Sequence, residues 1–302
     1  MNAYLNYLIF LTFLGAVVPG KAQEYGRGSK AKATAATTTT THTKALVIGT
    51  SAAAARDAIL FSGYLEHVAQ VPVEQLITLS GKTAKAAQIY TALKKLTDSI
   101  QEGDQVYFYF SGTSVYSDFL GTPESLLLAA DFKAEEPLLS SIGIVRLSDI
   151  LNLLGKASAE GASIQYILDT NKADDPLVFQ QTAKRNMQTI QTRTQNYTCF
   201  LATGPEGTSY NSASNSLGVF THNLVLGLMG AADTNADDRI TYSELDDYLY
   251  TQVQQQTGKQ QQPVCPSLPG ESVRVLPPGA RAQALKLAQQ KNAKALFKTL
   301  VH

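Results

Sequence analysis

The sequence predicts an α/β protein, with a mostly parallel sheet of about six strands and helices on both faces. From residue 45 onward, short apolar runs alternate with longer stretches whose apolar residues recur at helical spacing, the signature of strand–helix units. The runs Ala45-Leu46-Val47-Ile48 and Val106-Tyr107-Phe108-Tyr109-Phe110 are apolar at every position, as strands covered on both faces must be. Apolar residues make up 44% and charged residues 17% of 302, which supports one sizeable core and excludes global disorder.

The first strand spans 45–48, and helical spacing follows over 52–69 through Ala55, Ile59, Phe61 and Leu65. Leu76–Leu79 is the second strand and 84–100 the second helix. The turn formers Glu102-Gly103-Asp104 lead into the third strand at 106–110. Leu126–Ala130 reads as a short strand of a hairpin-like excursion, Arg146–Leu154 as a helix, and Ser163–Leu168 as the fourth long strand. Tyr197–Ala202 is a fifth, helices follow at 219–229 and 243–254, and Ser272–Leu276 is a candidate last edge strand. A single α/β domain over about 45–276 accounts for all of them.

Both ends of the chain stand apart from this domain. Residues 1–22 read as a secretory signal: the apolar run Leu8–Val18 is too short to span a bilayer, and Pro19-Gly20-Lys21-Ala22 supplies small residues for cleavage after Ala22. The expected localisation is therefore exported. Residues 23–44 are rich in Thr, Ala and Lys without apolar periodicity, a flexible linker. Residues 277–302 form a basic C-terminal helix with Leu285, Ala288, Leu296 and Leu300 roughly on one side, read as solvated or loosely docked, the alternative being a docking or membrane-surface helix. The formal net charge of zero is the sum of unlike parts. Residues 45–280 carry 15 Lys and Arg against 24 Asp and Glu, while residues 281–302 carry five basic residues and no acidic one. An acidic body lacks the basic face that nucleic-acid binding uses, so that function class is excluded for the body. Beyond the signal segment and that alternative for the tail, nothing points to a membrane.

In parallel sheets, function sits beyond the carboxyl ends of the strands. Two such ends are polar: Ser111-Gly112-Thr113-Ser114 after the third strand, and Asp169-Thr170-Asn171-Lys172 after the fourth. Read as loops on neighbouring strands, they face one another across a cleft. Tyr107–Ser114 (YFYFSGTS) resembles the FYFSGHG segment of the caspase and metacaspase family, and Ile167–Lys172 (ILDTNK) its ILDACHSG segment. Lys44–Gly49, Ala54–Leu60, Glu74–Ser80, and Phe220–Ala232 with Asp233–Leu249 are similar to further family segments in the same order, so the resemblance covers most of the domain.

The resemblance implies a caspase-like fold and a cysteine peptidase ancestry. Family catalysis pairs a thiolate with an imidazole; the histidine position is Thr113 here and the cysteine position is Asn171. An amide is no nucleophile at neutral pH and an alcohol no base, and losing both members of such a unit costs on the order of 10⁶ in rate. The resemblance also implies that Asp57 and Asp169 belong to a pocket for an Arg or Lys side chain, which a carboxylate pair suits. The competing reading has Asp57 capping or solvating its helix and Asp169 receiving loop amides. A hydroxyl of Ser111, Thr113 or Ser114 acting with Lys172 would make a different hydrolase.

The stretch Asp233–Glu244 fits the twelve-residue calcium-loop template. Asp233, Asn235, Asp237, Thr241 and Glu244 stand at the oxygen-donor positions, and Arg239 offers its carbonyl. Asp238 occupies the usual glycine position, so Ca2+ binding and a solvated acidic turn both remain as readings. Cys199 lies among apolar neighbours as a small core residue, and with Cys265 it is a candidate pair in an oxidising compartment. His42, His67 and His222 are isolated. Asn196-Tyr197-Thr198 matches a glycosylation acceptor.

Three functions are thereby set against each other. The first is a non-catalytic caspase-like module binding a peptide or protein with basic residues. The second is a residual hydrolase using a hydroxyl with Lys172, and the third an interaction protein working through its basic tail.

Overall fold

The computed structural model describes residues 42–117, 124–133, 142–171, 186, 188–190, 194, 196–203, 209, 217–265, 272–289 and 293–301. Residues 1–22, read from the sequence as a signal, and all but the end of 23–44, read as a linker, lie outside these residues, as does Lys172.

Chain order is strand β1 (Thr43–Gly49), helix α1 (Ala52–His67), β2 (Leu76–Ser80), α2 (Ala86–Ser99), β3 (Gln105–Ser117), β4 (Glu124–Lys133), β5 (Ile142–Arg146), α3 (Leu147–Ala159), β6 (Ser163–Asn171) and β7 (Tyr197–Leu201). Next come α4 (Val219–Leu226), a π-turn (Gly227–Ala231), β8 (Arg239–Thr241), α5 (Tyr242–Thr257), β9 (Ser272–Val275), α6 (Ala280–Gln289) and α7 (Ala293–Val301). Five strands run parallel in the spatial order β2-β1-β3-β6-β7. β4 joins β3 antiparallel at Thr113–Ser117, past the point where β1 stops opposite Ser111, and β5 follows on β4.

The doubly apolar strands work as their composition requires. Side chains alternate across a strand, so Ala45, Val47, Tyr107, Tyr109 and Ile167 enter one core with Phe61 of α1, Phe220 and Leu224 of α4 and Leu245 of α5. Leu46, Ile48, Phe108, Phe110 and Leu168 enter the other with Leu93 of α2 and Ile150 and Leu154 of α3. Each such burial contributes about 1.5–3 kcal/mol before ordering costs. Ser51 caps α1 by accepting from the Ala54 amide at 3.2 Å. At the opposite end of β1, Lys44 and Asp104 form a buried ion pair of 2.7 Å.

The α/β class, the parallel order and the two helical layers match the expectation; four details differ. The main sheet has seven strands, because β5 is a short edge strand whose outward residues Ile142 and Arg146 are exposed. Ser272–Val275 is not an edge of that sheet; it pairs antiparallel with β8 in a separate ribbon. The polar ends of the third and fourth long strands are not loops, since β3 continues to Ser117 and β6 to Asn171 with hydrogen-bonded neighbours. The C-terminal segment is two helices and is neither solvated nor loose. Leu296 and Leu300 are each 1% exposed within the first core, and α7 crosses α1 so closely at Gly63 that a Cβ there would lie 2.3 Å from the Leu300 carbonyl oxygen.

Candidate functional site

The polar positions that end β3 and β6 lie side by side. Ser111 is in register with Asp169, and Thr113 with Asn171. By strand alternation Ser111, Thr113 and Asp169 belong to the face covered by α1 and α4, continuing the row of Tyr109 and Ile167. Ser114 belongs to the other face, opposite Leu127. Its hydroxyl is buried and has no hydrogen-bond partner among the described residues. The three hydroxyls proposed to face one cleft are therefore divided between two sides of the sheet, which removes Ser114 from the candidate site.

Asp57 sits on the second turn of α1 and meets Asp169 beneath the start of α4. Both acids are 1% exposed. Asp57 accepts from the Gly218 amide at 2.7 Å and from Ser111 Oγ at 3.1 Å. Asp169 accepts from Ser209 Oγ at 2.9 Å and from Thr221 Oγ1 at 2.7 Å. Thr221 in turn receives the Tyr109 hydroxyl at 2.6 Å. Gly218 is the wedge between the two acids: a Cβ there would lie 2.7 Å from Asp169 Oδ2 and 2.9 Å from Asp57 Oδ2, so only hydrogen fits.

Burial, and then the charge of Asp169, push the Asp57 carboxyl well above the usual carboxylate range, against the lowering effects of Gly218, Ser111 and Arg56. Burial also raises Asp169, opposed by its bonds from Thr221 and Ser209. The Tyr109 phenol is pushed far up by burial and by both acids. The arrangement resists a second negative charge. Among the described residues Asp57 uses two and Asp169 three of about four acceptor sites, the third on Asp169 coming from the Thr221 backbone, so each keeps capacity for a further donor.

Among the described residues, no cysteine or histidine occupies the paired ends of β3 and β6, Ser111–Thr113 and Asp169–Asn171. Cys199 is buried in β7, and burial pushes its thiol up, the opposite of what a nucleophile needs. It packs in the core on the α2–α3 face while Cys265 packs against the other, and the candidate disulfide between them is not formed. Burial pulls His222 down to about 4, leaving it neutral near pH 7. His67 ends α1 and His42 precedes β1. Asn196 donates through Nδ2 to the Ala162 carbonyl at 3.3 Å, and Thr198 of the glycosylation motif is buried within β7.

The acidic loop is folded around its own first residue. Asp233 Oδ1 accepts from the Ala236 amide at 2.8 Å and the Asp237 amide at 3.3 Å, and Asn235 Oδ1 from the Asp237 amide at 2.9 Å. Asp238 takes the left-handed conformation, φ 60°, that the template reserves for glycine. Thr241 and Glu244 are engaged in a reciprocal cap that starts α5, Arg239 pairs with Val275 of β9, and Arg281 of α6 donates to the Asp233 carbonyl at 2.7 Å. Among the described residues no three His, Cys, Asp or Glu side chains converge to hold a metal ion.

Sequence reasoning missed Ser209, Gly218, Thr221 and Tyr109. Ser209 carried no signal in its polar stretch. Thr221 left a faint one, a polar residue inside the otherwise apolar Val219–Leu226.

No protein-family model matches this chain, and no curated protein matches it. Among solved structures it is similar to protein GSU0716 from Geobacter sulfurreducens, at 15% identity and a TM-score of 0.51, over 79% of this chain and 96% of that one. At that identity the likeness bears on the fold alone. No described helix is long and apolar enough to cross a membrane.

Proposed function

We propose that the domain is an exported, caspase-like module that has lost peptidase chemistry and binds an Arg- or Lys-containing peptide through Asp57 and Asp169. The supporting observation is the juxtaposition of this buried acid pair with the Thr113–Asn171 row. Charge recognition occupies the place where the resembling family recognises substrate, while the neighbouring positions hold an alcohol and an amide. A guanidinium presents five donors in a planar fork, matching the unused acceptor sites of two carboxylates. Its positive charge also relieves the repulsion that the pair suffers when fully ionised. Lysine, a point charge with three donors, satisfies the pair less completely and is expected to bind more weakly.

The test is calorimetric titration at pH 7 with N-acetyl-Ala-Ala-Arg-amide and its citrulline counterpart, which keeps the shape and loses the charge. The arginyl peptide binds more tightly than the citrulline peptide. The Asp169→Asn variant weakens arginyl binding by at least about tenfold, the loss expected for a hydrogen bond to a charged group. Equal affinity for the two peptides, or an unchanged affinity in Asp169→Asn, discards the assignment.

A further inference from the structure

Three of the five described donors on the acid pair, the Gly218 amide and the Thr221 hydroxyl and backbone, belong to the start of α4. Gly218 caps α4, Thr221 lies on its first turn, and Ser209 precedes both in sequence. Both acceptors belong to the floor, Asp57 on α1 and Asp169 on β6. The acids therefore clasp the N-terminal turn of α4 to the sheet, with Gly218 held between them by a spacing that admits no side chain.

The clasp contains two carboxylates withdrawn from water. Arg56 on α1 is the cation whose field reaches Asp57. Tyr109 on β3 faces both acids and is neutral, and His222 on α4, neutral above about 4, contributes no charge; β6 contributes Asp169 itself. Among the described residues neither acid has an ion-pair partner. With one proton retained, a single buried charge is shared by the five described donors. With none, two buried charges oppose one another across Gly218, and the cheapest relief is hydration, which requires the α4 turn to lift.

We propose that Asp57 and Asp169 act as a proton-operated clasp on the first turn of α4, closed while the pair retains a proton and loosened when that proton leaves. This device does not depend on the peptide-binding assignment. The sign follows from the shifts: both acids are raised in the closed state, so closing releases its stabilisation as pH rises. From the ordinary carboxylate range up to the titration of the closed pair, opening liberates one proton, and the opening equilibrium grows about tenfold per pH unit.

The Gly218 amide, which donates directly to Asp57, is the reporter. Hydrogen exchange is followed by NMR on the full chain between about pH 5 and 8 and corrected for intrinsic exchange. Protection of Gly218 and the first α4 amides falls about tenfold per pH unit from about pH 5 and then levels off. In Asp57→Asn the pH dependence of protection is weakened, because only the burial-raised Asp169 still titrates and no second charge opposes it, and Asp169→Asn gives the same readout should the first variant fail to fold. The α2 amides keep their protection throughout. Flat protection in the native protein, an unchanged slope in the Asn variants, or an equal slope in α2 would overturn the clasp.

Discussion

Replacing Asp104 by alanine lowers the stability of the domain by about 3–5 kcal/mol, because it strands the Lys44 ammonium in a buried site. The side chains of Lys44 and Asp104 are 6% and 1% exposed, and they meet at 2.7 Å where the chain enters β1. Lys44 also donates to the Ser99 carbonyl, and Asp104 receives the Gln101 amide at 2.8 Å and the His42 amide at 3.2 Å. The ion pair thereby ties the start of β1, the end of α2 and the turn into β3. Urea unfolding reads the loss as a lower midpoint with the slope unchanged. The double replacement Lys44→Met with Asp104→Leu recovers most of the loss, since an apolar pair carries no desolvation cost. Burial alone would raise the Asp104 carboxyl, but the bonds from Lys44, Gln101 and His42 outweigh it and hold the group below the usual range. Its stabilisation is therefore present above the unfolded-state value and is lost as pH falls through the lower folded value. The gap between the native protein and Asp104→Ala accordingly narrows in acid. A loss below about 1 kcal/mol, the range of an exposed pair, would mean that the pair is solvated.

Phe61→Ala costs about as much, roughly 3–5 kcal/mol. Phe61 is fully buried on α1 and stacks on Tyr109 with ring centroids 4.7 Å apart, with Tyr64 and Tyr107 at 6.0 and 6.1 Å. Truncation leaves a cavity between α1 and the sheet one turn from Asp57, and removes the ring that fixes the height of Tyr109, whose hydroxyl feeds Thr221 and so Asp169. Phe61→Leu keeps most of the volume and loses less than half as much. Thermal or urea unfolding of the two variants checks the order; equal losses would show that ring stacking, not filled volume, sets the cost.

The parallel core was legible because its strands are apolar on consecutive residues, which only a sheet covered twice requires. The polar extensions of β3 and β6 were not, because serine and threonine next to glycine carry turn chemistry unless a partner strand continues alongside. β4 supplies that partner for β3, and Ser114, opposite Leu127, is buried in consequence. β5 was invisible for the opposite reason: five residues at an edge, with two exposed ends, show no run at all. The docking of α7 rests on Leu296 and Leu300 meeting Gly63, a contact that helical periodicity suggests but cannot assign to a partner. At the site, the resemblance brought forward Asp57 and Asp169, whereas the donors that occupy them are remote. Gly218 lies 161 positions from Asp57, and Ser209 and Thr221 lie 40 and 52 from Asp169. Such distances are bridged by the crossover connections of the sheet, and no local pattern records them.

Native mass spectrometry of the purified chain with a peptide containing a single arginine tests the proposed binding and the absence of scission at once. A complex carrying the intact peptide is expected, with no cleavage products accumulating over hours. Peptide fragments that appear with the native protein and vanish in Asn171→Ala or Thr113→Val would contradict this expectation.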